Sequence, residues 1–167
     1  GIVVPLDFSM AQDPLAAVLD DCRPSVIFTS RQGAEKLSQV SGALSHRGET
    51  IVFEDMGTPR AELPELRKEL DENDTALIVY TSGTTGAPKG VMLSYRNLMA
   101  TIQGLVDFDI MREEDRVIGL LPFHHIYPLQ GTVFLPLYVG ATVVYVHELN
   151  GPAILKAMQE HKITFFI

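Results

Sequence analysis

The sequence predicts an α/β fold: a layered α-β-α arrangement around a mainly parallel sheet. Three observations carry this reading. Short β-branched or aromatic runs recur along the chain, as at Val26–Thr29, Thr50–Phe53, Ala76–Tyr80 and Thr142–Val146. Segments with helical periodicity separate them. Ordered alternation of the two is the pattern of βα units on a parallel sheet. With 167 residues, the length is that of one domain.

In chain order, Asp13-Pro14 before Leu15, Val18 and Leu19 predicts a helix with Asp13 as N-cap and Pro14 at its first position. Val26–Thr29 is a buried strand, Gln32–Val40 a helix and Thr50–Phe53 a strand. Residues 54–75 are rich in acidic side chains and contain Pro59 and Pro64. They are expected to form an exposed connection with one helical turn near Pro64–Leu70. Ala76–Tyr80 is a strongly apolar strand, followed by a Gly- and Thr-rich loop from Thr81 to Gly90. Ser94 is placed to cap a helix running to about Val106, with Leu98, Ile102 and Leu105 on one face. Strands at Arg116–Leu120 and Thr142–Val146, helices at Leu129–Tyr138 and Pro152–His161, and a strand from Ile163 complete the chain.

Composition excludes several classes. Hydrophobic residues are 46 % and charged residues 20 %, with a mean hydropathy of +0.15, which is not a disordered composition. The single cysteine, Cys22, rules out a disulfide framework and a cysteine-based zinc site. Net charge is −8, which argues against a surface that binds nucleic acid through phosphates. No charged side chain occurs from Val117 to Val146. Pro122, Pro128, Gly131, Pro136 and Gly140 interrupt that run, so it is expected to be buried strand and helix rather than a membrane span. Gly1–Leu6 resembles the end of a buried strand, and Ile163–Ile167 stops on an apolar run. Both ends lead us to expect a piece of a longer protein, and exposed strand edges there predict self-association, with a homodimer as its simplest form.

The most informative segment is Thr81-Ser82-Gly83-Thr84-Thr85-Gly86-Ala87-Pro88-Lys89-Gly90. Its glycines let the backbone turn tightly and leave N–H groups uncovered, four hydroxyls add donors, and Lys89 adds positive charge. Together they suit a polyphosphate. Neither the P-loop pattern G-x-x-x-x-G-K-[ST] nor the dinucleotide pattern G-x-G-x-x-G is met. In α/β sheets ligands bind beyond the carboxyl ends of strands, where this loop stands.

The string Tyr80–Val91 resembles the phosphate-binding signature of the adenylate-forming (AMP-binding) superfamily, which includes acyl-CoA synthetases, luciferases and peptide-synthetase adenylation domains. Gly1–Asp7 resembles an upstream family segment, G-x-x-x-x-P-L-[DN], and Leu121–Tyr127 a downstream one, L-P-x-x-H-[IV]-[FY]. Met92–Leu98 further resembles the long- and medium-chain fatty acid–CoA ligase branch.

The resemblance implies a partial N-terminal AMP-binding domain over residues 1–167, without the C-terminal domain. It implies a two-step ligase, dependent on ATP and Mg²⁺, that activates a carboxylic acid, expected to be a fatty acid, and transfers it to coenzyme A. By the same resemblance Thr81, Ser82, Gly83, Thr84, Thr85, Gly86 and Lys89 bind nucleotide phosphates, Thr81 lies near the metal, and Lys89 and His125 serve the reaction, His125 from the acid pocket. Tyr127 and Gln130 are further candidates for that pocket, whereas His124 reads as a core residue. Cys22 reads as a small buried residue, since the family uses no enzyme thiol. The metal-binding Glu, the ribose-binding Asp and the catalytic Lys of the family would lie beyond Ile167, so the isolated chain is expected to be inactive. A cytoplasmic, lipid-metabolic role follows from the resemblance; peripheral membrane contact stays open. Two alternatives stand: another adenylate-forming enzyme, such as an aryl-acid ligase or amino-acid adenylation domain, and a non-catalytic module that kept the loop.

Overall fold

The computed structural model describes residues 1–57, 70–81, 88–146 and 148–167. The predicted helical turn at 64–70 falls almost wholly outside them. The described elements run α1 (Gln12–Cys22), β1 (Val26–Thr29), α2 (Arg31–Val40), β2 (Glu49–Val52), β3 (Thr75–Thr81), β4 (Lys89–Ser94), α3 (Tyr95–Asp107), β5 (Arg116–Gly119), α4 (Ile126–Leu129), a π turn (Gln130–Phe134), α5 (Leu135–Val139), β6 (Thr142–Tyr145), α6 (Gly151–Glu160) and β7 (Phe165–Phe166). The fold is α/β with parallel pairing in β1–β2, β5–β6 and β5–β7. The described strands form three separate sheets, β1-β2, β3-β4 and β6-β5-β7.

The chain forms two compact units: Asp7–Leu70 with Tyr80–Val91, and Gly1–Leu6 with Asp71–Val79 and Met92–Ile167. In the first, α1 and α2 bury Leu15, Val18, Leu19, Leu37 and Val40. Ser30 caps α2 by accepting from the Gly33 N–H at 3.2 Å. Gly33 has no room for a side chain, since a Cβ there would meet Thr29 Oγ1 at 2.0 Å.

Helix α1 starts differently from the sequence expectation. Asp13 is not the cap of α1: the helix starts at Gln12, Ala11 holds the cap position without a side-chain bond, and the Leu15 N–H donates to the Ala11 carbonyl. Pro14 is accommodated because no N–H in the first turn needs a partner. Asp13 instead puts its charge in the first turn, at the positive end of the helix.

In the second unit, Ile102, Met111, Val117 and Leu135 form one apolar cluster, and Leu77, Val79 and Leu129 another. A parallel bridge joins Val3 to Leu77. The Ser94 cap is present as a full capping box: Ser94 Oγ accepts from the Asn97 N–H, and Asn97 Oδ1 accepts from the Ser94 N–H.

The apolar stretch 126–139 is helical, beginning three residues earlier than the pattern suggested and containing the π turn. Two prolines explain its form. Pro128 sits in the first turn, where a missing N–H costs nothing. Pro136 cannot donate to the carbonyl four residues back, Thr132 O, and its ring would crowd that carbonyl in a regular α-helix. The π turn precedes it, and the Tyr145 hydroxyl donates to Thr132 O at 2.9 Å.

Candidate functional site

Two segments carry the candidate residues, one in each unit. The first is the glycine-rich stretch. Thr81 is the exposed last residue of β3, and Lys89 the exposed first residue of β4. These strands pair with each other. The stretch is therefore bracketed by two strand ends rather than running free to Gly90. The sequence pattern missed β4 because Lys89-Gly90 opens it and its first four residues are exposed, which leaves no buried alternation to detect. Ser82, Gly83, Thr84, Thr85 and Gly86 lie outside the described residues.

Directly before Thr81, the half-buried Tyr80 donates its hydroxyl to Asp21 Oδ2 at 2.5 Å. Burial, and then this bond, push the Tyr80 phenol well above its ordinary range, so it stays a protonated donor. Neighbouring Cys22 is half-buried, and burial pushes its thiol up, which disfavours the nucleophilic thiolate.

The second segment is Leu121–Tyr127. His125 is exposed and stands at the N-cap position of α4, with its carbonyl accepting from the Leu129 N–H at 3.3 Å. Its ring lies 4.1 Å, centroid to centroid, from that of the half-buried His124. Tyr127 is exposed, whereas Gln130 is buried in the π turn, and its Oε1 has no hydrogen-bond partner among the described residues.

What steadies this segment was not read from the sequence. Phe123 meets the Tyr145 ring edge-on at 5.3 Å, and the Tyr145 hydroxyl is tied to Thr132 O. The Tyr145 ring occupies space that only a glycine at 119 leaves open: a Cβ there would lie 2.6 Å from Tyr145 Cδ1. Burial raises the Tyr145 phenol, which keeps it a donor.

Among the described residues, no three His, Cys, Asp or Glu side chains converge as a metal site. A cavity of about 300 Å³ in the first unit, lined by Leu19, Ile27, Leu37 and His46 among others, contains none of the candidate site residues named from the sequence.

The description "AMP-binding enzyme" belongs to the family model that matches residues 1–167. The chain belongs to the AMP-binding enzyme family. The human mitochondrial malonate–CoA ligase ACSF3 is 33 % identical over 153 residues, covering 90 % of this chain and 26 % of that protein. The long-chain-fatty-acid–CoA ligase of Bacillus subtilis is 33 % identical over 113 residues, covering 66 % of this chain and 20 % of that protein. The crystal structure of ATP-bound MatB from Rhodopseudomonas palustris matches with a TM-score of 0.75 at 24 % identity, over 95 % of this chain and 33 % of that one, a likeness of fold. The AMP-binding chain thus spans between a fifth and a third of the length of these proteins. The two curated relatives named above are CoA ligases named for different acids.

Proposed function

We propose that these residues form the phosphate-binding part of an ATP-dependent acid–thiol ligase. The observation that carries this is the Thr81–Gly90 string, set between the ends of two paired strands in a chain of the AMP-binding family. A carboxylate oxygen of the acid attacks the α-phosphorus of ATP. The bond to the bridging oxygen breaks, pyrophosphate leaves with its electron pair, and an acyl-adenylate forms. The thiol of coenzyme A then attacks the acyl carbon, AMP departs, and the thiol proton is lost to solvent.

Charge builds on the leaving pyrophosphate, so preset donors and a cation there lower the barrier. Thr81, Ser82, Gly83, Thr84, Thr85 and Gly86 supply hydroxyls and N–H groups, and Lys89 supplies the charge. His125 borders the acid pocket, where carboxylate and α-phosphate meet. Mg²⁺ takes oxygen ligands, and the exposed Thr81 hydroxyl suits it as one such ligand. When bound, the ion neutralises phosphate charge.

A fatty acid is the proposed substrate. The Met92–Leu98 resemblance and the Bacillus subtilis relative support it, while the malonate–CoA ligase relative makes a short diacid the competing reading. Residues 1–167 are proposed as part of an AMP-binding domain, inactive alone and working in the cytoplasm.

The test is acid-dependent pyrophosphate exchange and thioester formation by the full-length protein. Fatty acids of graded length, malonate and aryl acids form the substrate panel, with and without Mg²⁺. Exchange with fatty acids supports the reading, a preference for malonate or an aryl acid replaces its substrate, and no exchange with any acid overturns it. Exchange by residues 1–167 alone, above a heat-killed control, would show the chain to be self-sufficient.

A further inference from the structure

Asp20 and Asp21 stand in the last turn of α1, which holds no basic residue. Carboxylates there face the negative end of the helix dipole, an unfavourable place on an isolated helix. Each is engaged in a specific bond. Asp20 Oδ1 accepts from the Ser45 N–H at 2.7 Å and the Ser45 hydroxyl at 2.9 Å. Asp21 Oδ2 accepts from the Tyr80 hydroxyl, 59 residues away in sequence. Helix α1 is itself firmly seated, with Leu15, Val18 and Leu19 at most 1 % exposed. Tyr80 is the residue before Thr81, where the proposed phosphate loop begins.

We propose that Asp21 and Tyr80 are a positioning pair that sets the entry of the phosphate loop for ATP. The proposal rests on the phosphate-loop reading given above. A hydroxyl-to-carboxylate bond is among the stronger hydrogen bonds, and here it ties the strand end to a packed helix. With the Tyr80 side chain held, the direction in which the backbone leaves β3 through Thr81 is restricted. A loop that binds phosphates through backbone N–H groups needs those groups preset. If its entry is loose, only a fraction of molecules is competent, and apparent ATP affinity falls by that fraction. Neither side chain needs to touch the nucleotide for this.

The experiment is acid-dependent pyrophosphate exchange by the full-length protein. Tyr80→Phe and Asp21→Ala should each raise KM for ATP about 5- to 10-fold, with kcat and KM for the acid within about twofold. The double variant should show the same increase rather than the product of the two, because both changes remove one bond. Asp21→Asn keeps an acceptor and should restore KM for ATP to within about twofold of the parent. Gly86→Val separates the two levels of the argument. If it leaves ATP use unchanged, the phosphate-loop reading falls and the pair with it. If Gly86→Val impairs ATP use while Tyr80→Phe and Asp21→Ala do not, or the double variant shows the product, the pair alone is overturned. A lowered thermal midpoint with no change in KM for ATP would assign the bond a structural role and overturn the proposal as well.

Discussion

The Tyr145 hydroxyl donates to Thr132 O, the carbonyl that Pro136 leaves without its α-helical donor. A side chain from β6 thus repairs a gap that a proline opened in the preceding helix. Tyr145→Phe should destabilise residues 1–167 by about 1 kcal/mol, the usual net worth of one such bond. Urea unfolding measures this. In a Pro136→Ala background the same change should cost less, because a backbone N–H becomes available to the carbonyl.

The loop and His125 are expected to fail differently in the full-length protein. Gly86→Val should hinder close approach of the backbone to phosphate. Lys89→Ala should cost about 2–4 kcal/mol in the adenylation barrier, as for other lost transition-state donors. Both should weaken ATP use with any acid. His125→Ala should raise KM for the acid or slow adenylation, with little effect on ATP binding measured by calorimetry without acid. Loss of ATP binding with acid dependence intact would remove His125 from the acid pocket.

Gly119→Ala should act at a distance. The added Cβ would press on the Tyr145 ring, and a ring yields less readily than the tip of a flexible chain. Phe123 packs on that ring, so the shift passes to the segment bearing His125. Acid-dependent exchange should drop while nucleotide binding holds; an unchanged KM for the acid would show that the ring moves without Phe123.

Acid should loosen the join between β5 and β7. Asp115 Oδ1 accepts from the Thr164 hydroxyl at 2.7 Å, and Oδ2 accepts from the Arg112 N–H at 2.8 Å. These bonds, Thr164 first, hold its carboxyl below the ordinary value of 3.8. A carboxylate with a lowered folded pKa contributes stability above its unfolded pKa, and loses it as pH falls through the folded value. Thr164→Val should therefore reduce stability near neutrality and flatten its decline below pH 3.8. Urea unfolding across pH checks this, and a parallel offset at every pH would assign the effect to packing instead.

Residues 1–167 should self-associate. Parallel sheets are ordinarily covered on both faces, yet Val26 and Phe28 of the two-stranded β1–β2 sheet are exposed, with Phe53 stacked on Phe28. Sedimentation over a concentration series should show a dimer or larger species, and a monomer throughout would count against it.

Local signals were legible in the sequence, and distant partnerships were not. Ser94 and Asn97 are three residues apart, so the cap of α3 could be read from residue types alone. Val26–Thr29 was placed to the residue because a short β-branched run between turn residues has few other readings. Asp13 misled because Ala11, which bears no capping side chain, holds the cap position. Strand β4 was missed for want of buried alternation, and the π turn because its cause lies in Pro136, downstream of it. Within the candidate site, the residues of the proposed phosphate loop were named from their string, and Thr81 and Lys89 are strand ends. The bonds from Asp21 to Tyr80 and from Tyr145 to Thr132, like the space at Gly119, depend on chain segments meeting in three dimensions.

The π turn also fixes a count. Its backbone bonds span five residues where those of an α-helix span four, so the stretch from Gln130 to Phe134 holds one residue more than an α-helix needs. Deleting a single residue there would restore regular pitch with Leu135 and Pro136 still facing the core, because a π turn with its extra residue sweeps about the same angle around the axis as an α turn without it. A relative that keeps an unbroken α-helix between the counterparts of β5 and β6 should accordingly be one residue shorter, with its proline displaced or lost and no need for a tyrosine hydroxyl opposite.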